Sequence, residues 1–385
     1  MRRSGLSSAL AVLAALPATS LPLSAEPPQL VCKNGKCERI IYGTAPAGSR
    51  LRVNAHGPVT LEGGVGKDLK YTIRLSVNAR TEAEGRRALQ QYAVRVSKQG
   101  PWTVLNAPGG VVMTAVTIKA PNLAAAQVST SEGKVEAAGI NGVLDVDTRA
   151  GLVLVDRVNG DCKLITGGGD IQVGQVGGAL RCTTGAGKIT VTKVGGQAVL
   201  ETNGGDIVAH SAGGTVHAQT GGGGVHIGTA GGTVTAISGG GEIVVEKAGG
   251  VVTLRNMAGP VNVGSAAGVR CDSGSGGIRV ANIAGPMRVA TSIGSITANL
   301  LGSKISDSYL ATGNGDITVL IPSNVGVTIQ AQNSMADTVR RIVSDFSAIQ
   351  PRRQGTRVVA AGAVNGGGPL LQISGTGGTI FIKKL

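Results

Sequence analysis

Aromatic residues are nearly absent from this chain. Its 385 residues include seven Phe, Tyr or Trp, and none falls between Trp102 and Tyr309. That gap excludes a conventional globular core for the middle of the chain, because large rings normally fill such cores. It also excludes base-stacking or sugar-stacking sites there. Proline is sparse (14 residues) and there is no Gly-X-Y period, so 63 glycines do not make a collagen helix. Disorder does not fit either, with 42% of residues apolar. Beyond the N-terminus no uninterrupted apolar run reaches the roughly 18 residues that a membrane-spanning helix needs.

Charge is present but unevenly placed. The formal net charge is +14. Residues 1–25 contribute +2, 26–121 contribute +8 and 301–385 contribute +4, whereas 122–300 sum to zero. Arg2 and Arg3 precede an apolar run from Leu6 to Leu16 and a Leu23-Ser24-Ala25 site. This pattern predicts a signal peptide over 1–25, export, and a mature chain that starts at Glu26 with no transmembrane segment. A basic exported protein meets anionic glycans or lipid headgroups rather than nucleic acid.

Export permits disulfides. Cys32 and Cys37 enclose Lys-Asn-Gly-Lys, a turn-forming tetrapeptide, and are expected to close a small hairpin. Cys162, Cys182 and Cys271 fall on inward positions of the repeat below and read as small buried hydrophobes. The four histidines (His56, His210, His217 and His226) have no carboxylate or thiolate partners at ligand spacing, so neither a metal nor a cofactor is expected.

An internal period governs the middle of the chain. Gly133, Gly151, Gly169, Gly187, Gly205, Gly223, Gly241 and Gly259 are each 18 residues apart. The series resumes at Gly276 and Gly294, after one residue is lost just beyond Gly268. Two residues after each glycine stands a β-branched aliphatic, such as Ile171, Ile189, Ile207 or Val225. A second glycine series runs nine residues out of phase, through Gly178, Gly196, Gly214, Gly232 and Gly250 to Gly268. Inward candidates follow it, among them Leu144, Cys162, Leu180, Val216 and Val252. Alternating short strands between glycine turns predict an all-β fold, a parallel β-helix or β-solenoid with 18-residue coils. Right-handed winding is expected of parallel crossovers. The glycines are assigned to turns that need positive φ or close backbone approach.

Calcium β-rolls of equal period carry Asp where this chain has Ile171, Ile189 and Val225, so calcium ladders are not expected. Position 170 and its repeats read Asp170, Lys188, Asp206, Gly224, Glu242 and Pro260. Two carboxylates on one face suggest glycan acid/base chemistry, but Lys188 between them marks a surface charge ladder, and no catalytic residue is assigned.

The flanks read as caps, which a solenoid needs because its open strand edges otherwise polymerise. Residues 26–121 are expected to form a β-rich cap with a helix over about 81–90 that starts at Thr81. Residues 122–300 form the regular solenoid. Residues 301–385 form an irregular end whose Arg340, Arg341, Arg352 and Arg353 are candidate contacts to an anionic surface. Three Gly-Asp-Ile strands (169–171, 205–207 and 315–317), the strand Ile317-Thr-Val-Leu-Ile-Pro322 and the closing Gly-Thr-Ile-Phe-Ile complete the pattern. Over about residues 40–385 the chain resembles the bacterial adhesin-type β-strand-repeat proteins of the DUF4097 family. That resemblance implies a β-solenoid at the cell envelope without enzymatic activity. The expected role is a scaffold or binding surface for an envelope glycan, an anionic surface or another protein. The alternatives are a glycan-binding or glycan-cleaving β-helix and a self-assembling fibre.

Overall fold

The computed structural model of the protein describes residues 30–301, 305–334 and 341–385; the expected signal peptide and Arg340 lie outside them. It is a β-solenoid of about eleven turns with a single helix, α1 (Glu82–Gln91), among the described residues. Each regular coil contributes one strand to each of two sheets. In the first sheet Ile171–Val176 pairs in parallel with Ile189–Val194, and that strand with Ile207–Ala212. In the second, Leu180–Thr184 pairs in parallel with Ala198–Thr202. Residues 18 apart therefore stack at one strand spacing, about 4.8 Å.

The inward columns are those expected from the alternation. Ile171, Ile189, Ile207, Val225 and Ile243 are fully buried from the first sheet, and Leu144, Leu180, Val216 and Val252 from the second. Small and β-branched side chains suffice because the two sheets face each other across a narrow interior, where a ring would hold them apart.

A third buried column is polar: Thr148, Thr166, Thr184, Thr202, Thr220, Ser238 and Asn256. Each of these side chains stands three residues before a turn glycine. The Thr184 hydroxyl donates to the Gly169 carbonyl of the preceding coil (2.8 Å) and accepts from the Gly187 amide of its own turn (3.2 Å). Thr202, Thr220 and Ser238 repeat the pair of bonds one coil later each time. The second turn needs no such side chain. There the Gly196 amide donates directly to the Gly178 carbonyl, and Gly214 to Gly196.

The lost residue sits slightly earlier than the glycine series suggests. Val251 pairs with Gly268 and Val252 with Val269, which places the loss between Val261 and Val269. Ala267, not Gly268, holds the turn position, its amide donating to the Gly250 carbonyl.

Coils continue past 122–300 at both ends, but out of chain order. Arg50–Ala55 lies between Trp102–Asn106 and Ala125–Thr130, in parallel with both. At the other end Leu370–Gly375 is inserted between Ser308–Asn314 and Val327–Asn333, and Ile380–Lys384 between Ile317–Ile321 and Ile342–Ser344. Antiparallel strands then close three of the four sheet edges among the described residues, while the first sheet ends at the C-terminal side on the parallel strand Ile342–Ser344. Leu69–Asn78 and Lys36–Ala45 extend the first sheet at the N-terminal end, with α1 packed against them, and Arg95–Gln99 closes the second. Thr81 caps α1 by accepting from the Glu84 amide (3.3 Å). Arg357–Val364 runs antiparallel to Val327–Asn333 at the far end.

The threonine ladder makes a direct prediction. Thr220→Val keeps the shape but leaves the Gly205 carbonyl and the Gly223 amide without a partner. It should lower the urea unfolding midpoint by the equivalent of about 1–3 kcal/mol. Thr220→Ser, which copies Ser238, should retain most of the stability. Equal midpoints for the parent and the valine variant would show the ladder to be incidental.

Candidate functional site

The turn glycines of the central coils are held by close approach rather than by backbone sign, whereas Gly133, Gly151, Gly259, Gly276 and Gly294 of the same series adopt positive φ. Gly169, Gly187, Gly205, Gly223 and Gly241 all lie outside the left-handed region. A Cβ on Gly205 would land on the Gly187 carbonyl, and one on Gly187 on the Gly169 carbonyl. At the second turn the tightest position is the first glycine of each pair (Gly195, Gly213 and Gly231), one residue before Gly196, Gly214 and Gly232. Gly178 and Gly250 meet Asp161 and Thr233 of the preceding coil in the same way.

The aspartates of the Gly-Asp-Ile strands turn out to be inter-coil acceptors. Asp170 Oδ1 accepts from the Lys188 amide (2.8 Å) and Asp206 Oδ1 from the Gly224 amide (2.8 Å), each 18 residues on. Asp161 does the same for Ala179. The device also fastens the inserted coil, where Asp316 accepts from the Thr379 amide and Asp307 from the Leu370 amide, both 63 residues away and at 2.8 Å. One oxygen of Asp170 and one of Asp206 are thus committed to backbone, and neither residue lines any of the cavities described below. Glu242 accepts instead from the Asn262 amide group (2.8 Å).

Cys32 and Cys37 face each other across the hairpin and form the disulfide. Cys162, Cys182 and Cys271 are free and buried. Burial, and secondarily the carboxylates of Asp145 and Asp272, pushes the Cys162 and Cys271 thiols up to about 12. Burial raises Cys182 as well, with its neighbour Cys162 contributing. Among the described residues no group of three or more His, Cys, Asp or Glu is placed to hold a metal. His226 contacts Glu246 (3.0 Å) on the surface. No helix of the described residues is long and apolar enough to cross a membrane.

Rings with cations over them occur only at the two ends among the described residues. At the N-terminal end Arg50 and Arg52 lie 5.6 and 4.9 Å from the centre of the Trp102 ring. At the C-terminal end Arg288 lies 5.6 Å from Tyr309, Lys383 5.1 Å from Phe381 and Lys384 5.5 Å from Phe346.

Two adjoining cavities open on the outer face of the second sheet around Tyr309. One, of about 480 Å³, is lined by Arg270, Arg288, Asp307, Tyr309 and Gln372 among others. Its neighbour, of about 400 Å³, shares Tyr309 and Gln372 and adds Gln330, Gln332, Ser374 and Arg352. Strand pairing puts Arg270, Arg288, Tyr309, Gln372 and Gln330 in one row across the coils. At about 4.8 Å per strand that row is about 19 Å long. A larger groove of about 590 Å³ lies on the first sheet, but its acidic groups are already matched. Glu136 pairs with Lys134, Asp156 with Arg157 and Glu62 with Lys119.

Of the four arginines singled out in the sequence, Arg352 alone is brought to this region. Arg353 is exposed and donates to the Gly355 carbonyl (3.1 Å), Arg341 is half-buried, and Arg340 is outside the described residues. Tyr309, Arg288 and Gln372 escaped the sequence reading. A three-residue insertion breaks the period between Arg288 and Tyr309, and Gln372 arrives from the coil inserted out of order.

No family model matches the chain, and no curated protein is significantly similar to it in sequence. Solved structures that align with it include two described as putative adhesion proteins. A "putative cell adhesion protein" from Clostridium sporogenes is 9% identical, covering 90% of this chain and all of that one, with a TM-score of 0.19. A "putative adhesin" from Bacteroides fragilis is 10% identical, covering 90% of this chain and 97% of that one, with a TM-score of 0.20. At these TM-scores neither defines the shape of this protein.

Two outcomes follow for the site. Asp206→Asn, which keeps an acceptor oxygen, should preserve the unfolding midpoint, whereas Asp206→Ala should lower it; an asparagine variant as destabilised as the alanine one would refute the staple. The three buried thiols should stay unmodified by iodoacetamide from pH 7 to 9 in the folded protein and react only on unfolding. With folded-state values near 12 for Cys162 and Cys271, raising the pH through 9 does not ionise them. Stoichiometric alkylation of the native protein would contradict this.

Proposed function

We propose that the protein is an exported, non-enzymatic β-solenoid that serves as an adhesin-like scaffold or binding surface in the bacterial cell envelope. The observation that carries this reading is the division of labour along the rod. The regular coils commit their aspartates to inter-coil bonds. The half-buried rings with cations over them and the open cavities around Tyr309 gather at the ends. A rod of stacked coils presents such an end at a fixed distance from whatever holds the other. The Cys32–Cys37 disulfide suits an oxidising compartment, where such bonds persist. Glycan recognition is the second reading, and the ring and amides of the Tyr309 groove favour it.

Fractionation with external protease on whole cells tests the role. The expected outcome is a chain processed before Glu26, oxidised at Cys32 and Cys37, and recovered from the envelope or the medium. Recovery of an unprocessed, fully reduced chain from the cytosol would sink the reading.

A further inference from the structure

We infer that the groove around Tyr309 is a binding site for a linear carboxylate-bearing oligosaccharide. This rests on the envelope-surface reading above and supplies its ligand class. Three features of the groove converge on that chemistry. The first is the ring. Tyr309 stands at the junction of the two cavities, in the middle of the outward row, where the apolar face of a pyranose could pack.

The second is the set of amides. Gln372 and Gln330 follow Tyr309 in the row, with Gln332 and Ser374 beside them. Each glutamine offers two donors and an acceptor, which matches the mixed donor and acceptor character of sugar hydroxyls. Gln332 and Ser374 already meet at 3.4 Å, so that part of the floor is ordered before a ligand arrives.

The third is unmatched positive charge. Arg288 and Arg352 have no carboxylate at ion-pair distance among the described residues, while Arg270 shares Asp272 at 3.6 Å. Asp307 is the one acidic group of the lining, and one of its oxygens is occupied by the Leu370 amide. The lining is therefore net positive, and guanidinium forks pair well with carboxylates. Arg288 is also held against the Tyr309 ring, which positions it for a ligand and limits the ordering cost of binding. Flat lipid or protein surfaces would not enter a row of separate cavities of this size, whereas a narrow chain of sugars would.

Titration calorimetry on the purified full-length protein tests the proposal, with tetragalacturonate, tetramannuronate and a hyaluronate tetrasaccharide as acidic probes. Methyl-esterified tetragalacturonate and cellotetraose serve as neutral ones. At least one acidic probe should bind, at least tenfold more tightly than either neutral probe. Arg288→Gln and Tyr309→Ala should each weaken that binding tenfold or more while leaving circular dichroism and the unfolding midpoint unchanged. Arg353→Gln, which lies off the groove, should bind like the parent. Failure of all three acidic probes, equal binding of the neutral ones, or full affinity in both groove variants would overturn the assignment. The titration is independent of location. Binding by a cytosolic protein would remove the envelope role and keep the groove, and an exported protein that binds none of the probes would do the reverse.

Discussion

Everything in this molecule depends on stacking like on like at a single strand spacing. Once consecutive coils lie about 4.8 Å apart, each backbone polar group has one partner available, the coil above or below. In the strands the parallel ladder satisfies this. In the turns it does not follow automatically, and the chain solves it three ways. One turn brings glycine amides directly onto glycine carbonyls, as Gly196 does on Gly178. The opposite turn uses the buried hydroxyl ladder through Thr184, Thr202 and Thr220. A carboxylate fills in at Asp170, Asp206 and Asp316.

The same spacing decides composition. Turn backbones that approach this closely leave no space for a Cβ, as at Gly205 over Gly187. Two sheets separated by a narrow interior leave no space for a ring. The glycine excess and the aromatic deficit are two results of one distance. The seven rings stand where the repeat is broken or finished, and cations lie over four of them: Trp102, Tyr309, Phe346 and Phe381.

The out-of-order coils at each end share a consequence. Arg50–Ala55 and Leu370–Gly375 are clasped on both sides, and at each end of the second sheet an antiparallel strand, not a parallel coil, is the outermost. Fraying from a terminus would have to break pairings on two edges at once. The inserted coil also brings Gln372 beside Tyr309, so the feature that closes the rod builds the groove on its flank. Cap and candidate site thus share the inserted coil.

The 18-residue coil, the inward columns, the buried cysteines and the Cys32–Cys37 hairpin were legible from the chain alone, because a spacing of 18 kept through ten glycines with a single residue lost admits little besides stacking. The threonine ladder was equally legible, at one residue in every coil three places before a glycine, yet a reading by hydrophobic alternation passes over a polar residue that points inward. The aspartates read from the chain as a surface charge ladder interrupted by Lys188, and only the fold shows each one bonded to the next coil's amide. The groove could not be read at all. Tyr309 and Gln372 lie 63 residues apart, and no periodicity says that the last coil slides between two earlier ones. Local period therefore determined the shaft of this protein. Its ends, and the candidate site they carry, were decided by which strand edges remained open for the returning chain to fill.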